Sequence, residues 1–503
     1  MTTSTLNESG TTRAGELPYT HVQTVFIDGA WVTPHGTGRS PVTDPATGQE
    51  WGSVPAADSV DVDAAVAAAR ASFKSGPWRA MSPTQRAEVM LRFADEVEQR
   101  ATQISLTNTL ENGSPVSETK GAATNAAGII RYFASLAPRL EAEDLRDFPN
   151  GLGTTLVRRD PVGVCALIAP WNFPINLMVI KLAPALLAGC SVVMKPASPT
   201  PLSFRYLVDA AAAAGIPAGV VNFLTGPGSM GDTLVKHPGV DKVGFTGSTP
   251  VGRRIAAACG ELLRPVTLEL GGKSSAIVMP DADAEVLRSN LIRSCMRNTG
   301  QTCYISTRIL APAERYEEIV DLVTETIGGA AHGDPLDPAT VFGPSATASQ
   351  ATTVREYITT ALADGARATT GGATVAQVAS EAGFEGGNWI APTVFADVTP
   401  EMTVAREEIF GPVITILMYS NLDEAVEIAN NTPFGLGGIV FGADEAAAAE
   451  VAARMDTGSV GVNFFASNHS APFGGRHDSG LGTEYGWEGL AAYLSYQSVH
   501  RRA

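Results

Sequence analysis

Six short apolar runs decide the fold: VGVCALIAP at 162–170, SVVMK at 191–195, VVNFL at 220–224, KVGFTG at 242–247, PVTLEL at 265–270 and SAIVM at 275–279. None of them alternates polar with apolar residues, as a strand wetted on one face would. They read instead as strands covered on both faces. The spacers between them carry helical patterns, the clearest being INLMVIKLAPALLAG at 175–189. Strands alternating with helices predict a parallel, doubly wound sheet, which holds its ligands in the crevice beyond the carboxyl ends of its strands.

Working outward, VDAAVAAARASF at 62–73 is Ala-rich and helical in period, and Ser82-Pro83-Thr84-Gln85 reads as a capping box with Pro in the first turn. The helix that it opens is expected to run to Asn112-Gly113, with more helix to about residue 140. A second alternating series occupies 283 to about 470: TRILAP at 307–312, helical EAVEIANN at 424–431, GGIVFG at 437–442, helical EAAAAEVAARM at 445–455 and SVGVN at 459–463. TTLVRRDPVGV at 154–164 and AAYLSYQSVHRR at 491–502 look like edge strands outside either core, and open edges invite pairing with another subunit. The expected organisation is a disordered tail over 1–20, a cofactor-binding domain over 21–140 and 162–271, a catalytic domain over 272–480, and oligomerisation segments over 141–161 and 481–503.

A chain of 503 residues needs more than one core, and 44% hydrophobic with 17% charged residues describes a compact soluble enzyme. With 35 Lys and Arg against 52 Asp and Glu, the net charge of −17 disfavours nucleic acid and anionic membranes as partners. The Thr/Ser-rich start has no apolar core, and no apolar run reaches the ~18 residues of a membrane span, so a cytoplasmic location is expected. Cys165, Cys190, Cys259, Cys295 and Cys303 form an odd, scattered set without CxxC or Cys/His pairing. That argues against disulfides and a zinc site, and leaves room for a nucleophilic thiol.

Cys303, in RNTGQTCYIS, follows the break after an apolar helix over 285–297, on a loop where a thiol can face a cleft. An ordinary loop cysteine would read the same way, so its company decides. Glu269 stands at the carboxyl end of a strand, just before Gly271-Gly272-Lys273, either as a solvated charge or as a general base for a nearby cysteine. Asn172 in Trp171-Asn172-Phe173-Pro174 is either a helix cap or a donor to an oxyanion together with the Cys303 N–H. In Phe245-Thr-Gly-Ser-Thr-Pro-Val-Gly, Gly247, Gly252 and Ser248 suit a pyrophosphate at a helix N-terminus, although the G-x-G-x-x-G fingerprint is absent. Lys195 and Ser198 lie at the next strand end, where a ribose would sit, while Glu408 and Phe410 offer a carboxylate for a second ribose and a ring for a nicotinamide.

Taken in this order, the segments PWNFP, KPAS, FTGSTPVG, LELGGK, GQTC, EEIFGPV and PFGG closely resemble the aldehyde dehydrogenase superfamily over about 25 to 498. The resemblance implies an α/β subunit with a Rossmann-like cofactor domain, an α/β catalytic domain and a small β oligomerisation unit, assembled as a homodimer or homotetramer. It implies Cys303 as nucleophile, Glu269 as general base and Asn172 as oxyanion donor, with NAD, or NADP as well, as hydride acceptor and no metal. It places Lys195 and Glu408 at the riboses, Ser248 at the pyrophosphate, and Ile168, Trp171, Ser198, Gly228, Phe245, Gly247, Leu270 and Phe410 along the cofactor. Phe173, Leu177, Tyr304 and Phe465, with Ile180 and Phe464 beside them, are expected to line the aldehyde site. None is a cation, and His469 is the one polar neighbour.

Two departures stand out. Ser198 replaces a Glu common in NAD-preferring relatives, which leaves discrimination against NADP weak, and Arg476-His477-Asp478 follows PFGG where an aromatic-Lys pair is usual. A CoA-acylating semialdehyde dehydrogenase would not need Glu269, and an idle structural protein on this fold would be expected to lack one of Cys303, Glu269 or Asn172. A cysteine hydrolase would need an imidazole, and no His lies closer than 29 residues to Cys303 in sequence. The expected substrate is an apolar aliphatic or aromatic aldehyde.

Overall fold

The computed structural model describes residues 21–372 and 374–502, so the expected tail over 1–20 lies outside the described residues. All six opening runs are strands, but they divide between two sheets. Val221–Phe223, Ser191–Lys195, Val164–Ile168, Lys242–Thr246 and Val266–Glu269 lie side by side in that order and are parallel. Numbered along the chain this order is 3-2-1-4-5, so the winding reverses between Val164–Ile168 and Lys242–Thr246. Ser275–Val278, the sixth run, instead pairs with Arg308–Pro312 and Gly438–Phe441 in a second, seven-stranded sheet. A lone apolar run does not announce which sheet it will join.

Burial on both faces explains the missing alternation. Cys165 and Leu167 enter the core under the helices Pro83–Gln99, Ala122–Ser135 and Pro174–Ala188, while Val164, Ala166 and Ile168 of the same strand enter a core on the opposite face. Removing either set would cost several kcal/mol per side chain, about 2–5 for each large aliphatic truncated to Ala. At the flanks of this sheet, Val25–Ile27 with Ala30–Val32 and the late pair Gly480–Leu481 add antiparallel.

The capping box forms as expected: the Ser82 side chain accepts from Gln85 N, and Gln85 answers to the Ser82 amide. The helix stops early, however, because Arg100 turns out of line and its amide bonds to the Val97 carbonyl; a separate helix, Ala101–Asn112, ends on Gly113. The apolar helix before Cys303 is likewise interrupted, as Ala284–Leu291 followed by a π-helical turn, Ile292–Met296. The two outlying segments pair with each other: Leu494–Arg502 runs antiparallel to Gly153–Pro161, with Leu145–Asp147 on the far side, in a three-stranded sheet of their own. No helix of the described residues is long and apolar enough to cross a membrane.

Candidate active site

Beyond the reversal point of the first sheet opens a cavity of about 730 Å³, walled by Ile168, Trp171, Lys195, Ser198, Gly228, Phe245, Gly247 and Ser248. The other three residues expected along the cofactor, Leu270, Glu408 and Phe410, wall an adjoining space of about 270 Å³. Trp171, Gly247 and Ser248 border both, so the two spaces meet.

The first cavity is built for an anion. The helices Gly228–Lys236 and Thr249–Glu261 begin at its wall, and neither has a side chain capping its first amides. Close approach is achieved with glycine: a Cβ at Gly247 would meet the Phe245 ring at 2.4 Å, and one at Gly252 would meet Leu270 Cδ2 at 2.4 Å. Lys195 is buried, its ammonium donates to the Pro196 carbonyl at 2.8 Å, and burial pushes its pKa down to about 8. Ser198 Oγ donates to the Gly226 carbonyl at 3.2 Å while lining the wall, whose one carboxylate, Asp232, is paired with Lys236 at 2.8 Å. Arg254, which sequence reading passed over, lines the same wall. Two uncapped helix starts beside a buried ammonium fit the diphosphate of a dinucleotide.

In the second space Cys303 faces Asn172, Glu408 and Phe410. The thiol is partly exposed, whereas the other four cysteines are buried. Burial of its surroundings, with Glu408 and Glu269 nearby, pushes the Cys303 thiol up to about 12. Glu408 accepts from Gly272 N at 3.0 Å, and burial pushes its carboxyl up to about 7. Trp171 and Phe410 meet edge to face at 5.3 Å.

Glu269 is buried at its strand end, and neither carboxylate oxygen has a hydrogen-bond partner. Its pKa lies well above the carboxylate range because of burial, with Glu484 adding to the rise and Lys181 opposing it. A solvated end-of-strand charge is therefore ruled out. Lys181 and Glu484, neither singled out from sequence, form a buried ion pair at 2.7 Å, and Lys181 also reaches Thr246 Oγ1 at 2.5 Å. A lysine inside the apolar helix 175–189 was the available signal for this pair.

Asn172 does not cap the helix Pro174–Ala188, whose N-cap is Phe173 without any side-chain bond. Its Nδ2 donates to the Gln301 carbonyl at 2.9 Å, which ties it to the loop carrying Cys303 and leaves its second N–H available.

The expected aldehyde-site residues gather on the flank away from these two cavities. Tyr304 stacks on Phe465 at 4.9 Å and meets Phe473 edge to face, while Leu177 is half-buried. Phe464 and Phe465 border a further cavity of about 220 Å³. His469 is turned aside, stacked on Tyr485 with Nε2 3.1 Å from Asn125 Oδ1. The expectation of a flank without a cation is corrected by Arg297: its Cζ lies 4.9 Å from the centre of the Phe173 ring, and its Nη1 donates to Tyr304 Oη at 2.6 Å. Arg297 precedes Cys303 by six positions, with the left-handed residues Asn298, Thr299 and Gly300 between them.

Arg476-His477-Asp478 also gains a meaning. Arg476 Nη1 and His477 Nε2 lie 2.8 and 2.6 Å from the two oxygens of Asp456, and Asp478 takes Arg253 Nη2 at 2.6 Å. The turn thus ties the helix Thr249–Glu261 to the second sheet's connections.

The aldehyde dehydrogenase family model matches residues 31–499. The chain belongs to the aldehyde dehydrogenase family. It is 48% identical over 479 residues to geranial dehydrogenase of Castellaniella defragrans, covering 95% of this chain and 98% of that protein. Retinal dehydrogenase 2 of Mus musculus is 38% identical over 491 residues, covering 96% and 92%. Among solved structures, a mutant of aldehyde dehydrogenase C from Pseudomonas syringae complexed with NAD+ and octanal superposes with a TM-score of 0.90 at 37% identity, over 95% of this chain and 96% of that one. A Mycobacterium tuberculosis aldehyde dehydrogenase complexed with NAD+ gives 0.91 at 39% identity, over 95% and 97%. This chain is an NAD(P)-dependent aldehyde dehydrogenase of the α/β fold expected for the family.

Proposed function

We propose that this enzyme oxidises apolar, medium-sized aldehydes to carboxylic acids through a thioester on Cys303. The observation that carries the reading is the space shared by the one partly exposed thiol, the Asn172 amide, Glu408 and Phe410. Its meeting with the larger, anion-suited cavity supports a dinucleotide whose diphosphate Ser248 would hold and whose riboses Lys195, Ser198 and Glu408 would hold. When bound, the dinucleotide accepts the hydride.

The remaining work falls to side chains. Cys303 Sγ gives its proton to solvent water and bonds to the aldehyde carbon; the carbonyl oxygen takes the negative charge, held by Asn172 Nδ2 and the Cys303 N–H. Loss of hydride from that carbon restores the C=O as a thioester. Glu269, an unpaired buried carboxyl with a raised pKa, takes the proton of the attacking water, and the C–S bond breaks to free the acid and Cys303. Phe173, Leu177, Tyr304 and Phe465 receive the aldehyde's chain, in keeping with the geranial and octanal in the names of the relatives. The division into a cofactor domain, a catalytic domain and a pairing unit, a homodimeric or homotetrameric assembly and a cytoplasmic location are parts of the same reading.

The test is a panel of aldehydes assayed with NAD+ and NADP+ by absorbance of the reduced nicotinamide, on wild type, Cys303→Ala and Ser198→Glu. Apolar aldehydes are expected to be turned over, Cys303→Ala to bind NAD+ without turnover, and Ser198→Glu to raise the NAD to NADP ratio of kcat/KM. Normal turnover by Cys303→Ala would refute the mechanism, and an unchanged ratio would remove Ser198 from the ribose.

A further inference from the structure

Arg297 has no part in the reaction above, yet its guanidinium sits on the aldehyde flank of Cys303. Nε donates to Glu118 Oε2 at 2.9 Å, Nη1 donates to Tyr304 Oη at 2.6 Å, and the Phe173 ring lies beneath. Burial opposes this charge, but Tyr304 and Glu118 outweigh it and keep the guanidinium protonated. Neither member of the pair is sealed in the core: the Arg297 side chain keeps 29% exposure and Glu118 keeps 26%. Among the described residues Glu118 is its one ion-pair partner, held through a single oxygen.

A guanidinium is a planar fork that takes a carboxylate through two N–H bonds, and one placed beside two aromatic rings at a substrate entrance would ordinarily select an acidic substrate. Here the fork is already occupied. We propose that Glu118 masks Arg297 as a carboxylate receptor, so that the two residues set the enzyme's specificity for uncharged over carboxylate-bearing aldehydes. The pair has no net charge, and an uncharged chain crossing Phe173 and Tyr304 leaves it intact. An aldehyde bearing a carboxylate meets a fork whose Nε side is taken and a second negative charge held 2.9 Å from that fork. The inference deepens the proposed reading of Cys303 and rests on it.

The experiment compares butanal with succinic semialdehyde, which share a four-carbon chain, on wild type, Glu118→Gln, Arg297→Met and the double variant. In Glu118→Gln the ratio of kcat/KM should move toward succinic semialdehyde by at least about tenfold, equivalent to ~1.4 kcal/mol, through KM rather than kcat. The double variant should return the ratio, because the receptor itself is gone. Arg297→Met alone, which leaves the Glu118 charge bare, should move the ratio further toward butanal, and this holds the test open if Glu118→Gln does not fold. A ratio that stays put in Glu118→Gln and in Arg297→Met, or that moves equally in Glu118→Gln and the double variant, would overturn the proposal. A second readout needs no turnover: butyrate should protect Cys303 from iodoacetamide in Glu118→Gln but not in wild type, and equal protection in both would also overturn it. If wild type oxidises neither aldehyde while the protection result holds, the Cys303 reading fails and the masked receptor stands.

Discussion

At the level of single residues, the nucleophile begins in the wrong protonation state for its task. The Cys303 thiol, held up near pH 12 by burial and by Glu408 and Glu269, is almost wholly neutral at pH 7 in the unliganded protein. Its alkylation by iodoacetamide should therefore speed up roughly tenfold per pH unit between 7 and 10, since only the thiolate reacts. A flat profile would contradict the assignment, and Glu408→Gln should move the rise to lower pH by removing a nearby negative charge. Glu269→Gln should form the thioester and release it slowly, seen as a burst of reduced cofactor followed by a phase at least about 100-fold slower than wild-type turnover. How much of this was legible depended on where each partner lies along the chain. Glu269 and Asn172 sit in short motifs at or just beyond strand ends and Cys303 in one on a loop, where the chemistry is local. Lys181, Glu484 and Arg297 act only through partners: Lys181 meets Glu484 about 300 positions away, and Arg297 meets Glu118 at a separation of 179. No pattern along the chain encodes such pairings.

At the level of elements, the loop carrying the nucleophile is shaped by three consecutive left-handed residues, Asn298, Thr299 and Gly300, with φ of 52, 57 and 74°. A Cβ at Gly300 would stand 1.9 Å from the Gly411 carbonyl oxygen, so this loop touches the segment holding Glu408 and Phe410 with no room for a methyl group. Gly300→Ala should separate the thiol from that segment, lowering kcat by tenfold or more and stability by about 1–3 kcal/mol, as read by steady-state kinetics and thermal melting. An active, fully stable Gly300→Ala would show that the contact does not position Cys303. Periodicity located the five parallel strands of the first sheet and several elements of the second, because the core sides repeat at 2.0 or 3.6 residues, but it passed over the helices Tyr316–Gly328 and Ala348–Ala363 and the strands Thr393–Ala396 and Val413–Tyr419. It missed the interruptions at Arg100 and at Ile292–Met296, since a turn that shifts by a single hydrogen bond leaves the apolar spacing almost unchanged. It also ran Ser275–Val278 on as the last of the first series of strands, although the run joins the sheet of the later series, because a buried strand of either sheet has the same composition.

For the molecule as a whole, Leu494–Arg502 lies at one edge of the three-stranded sheet, and eight of its nine residues are half or fully exposed. An open nine-residue edge is a template for a strand of a second copy. Removing residues 494–503 should therefore dissociate the proposed homo-oligomer, read as a drop in sedimentation coefficient, and an unchanged coefficient would remove this edge from the interface. The sequence marked both long strands of this sheet as outlying but not as partners, because contacts at such separation leave no periodic trace. That separation also bears on biosynthesis. Thr155 meets His500 across 345 positions, which a ribosome adding 5–20 residues per second covers in roughly 17–70 s. Throughout that interval Gly153–Pro161 is out in the cell without its long neighbour, at the stage of life when a bare strand is most prone to aggregate. The arginines of RRDP within it, at 158 and 159, then serve the nascent chain as charged gatekeepers long before they serve the finished enzyme.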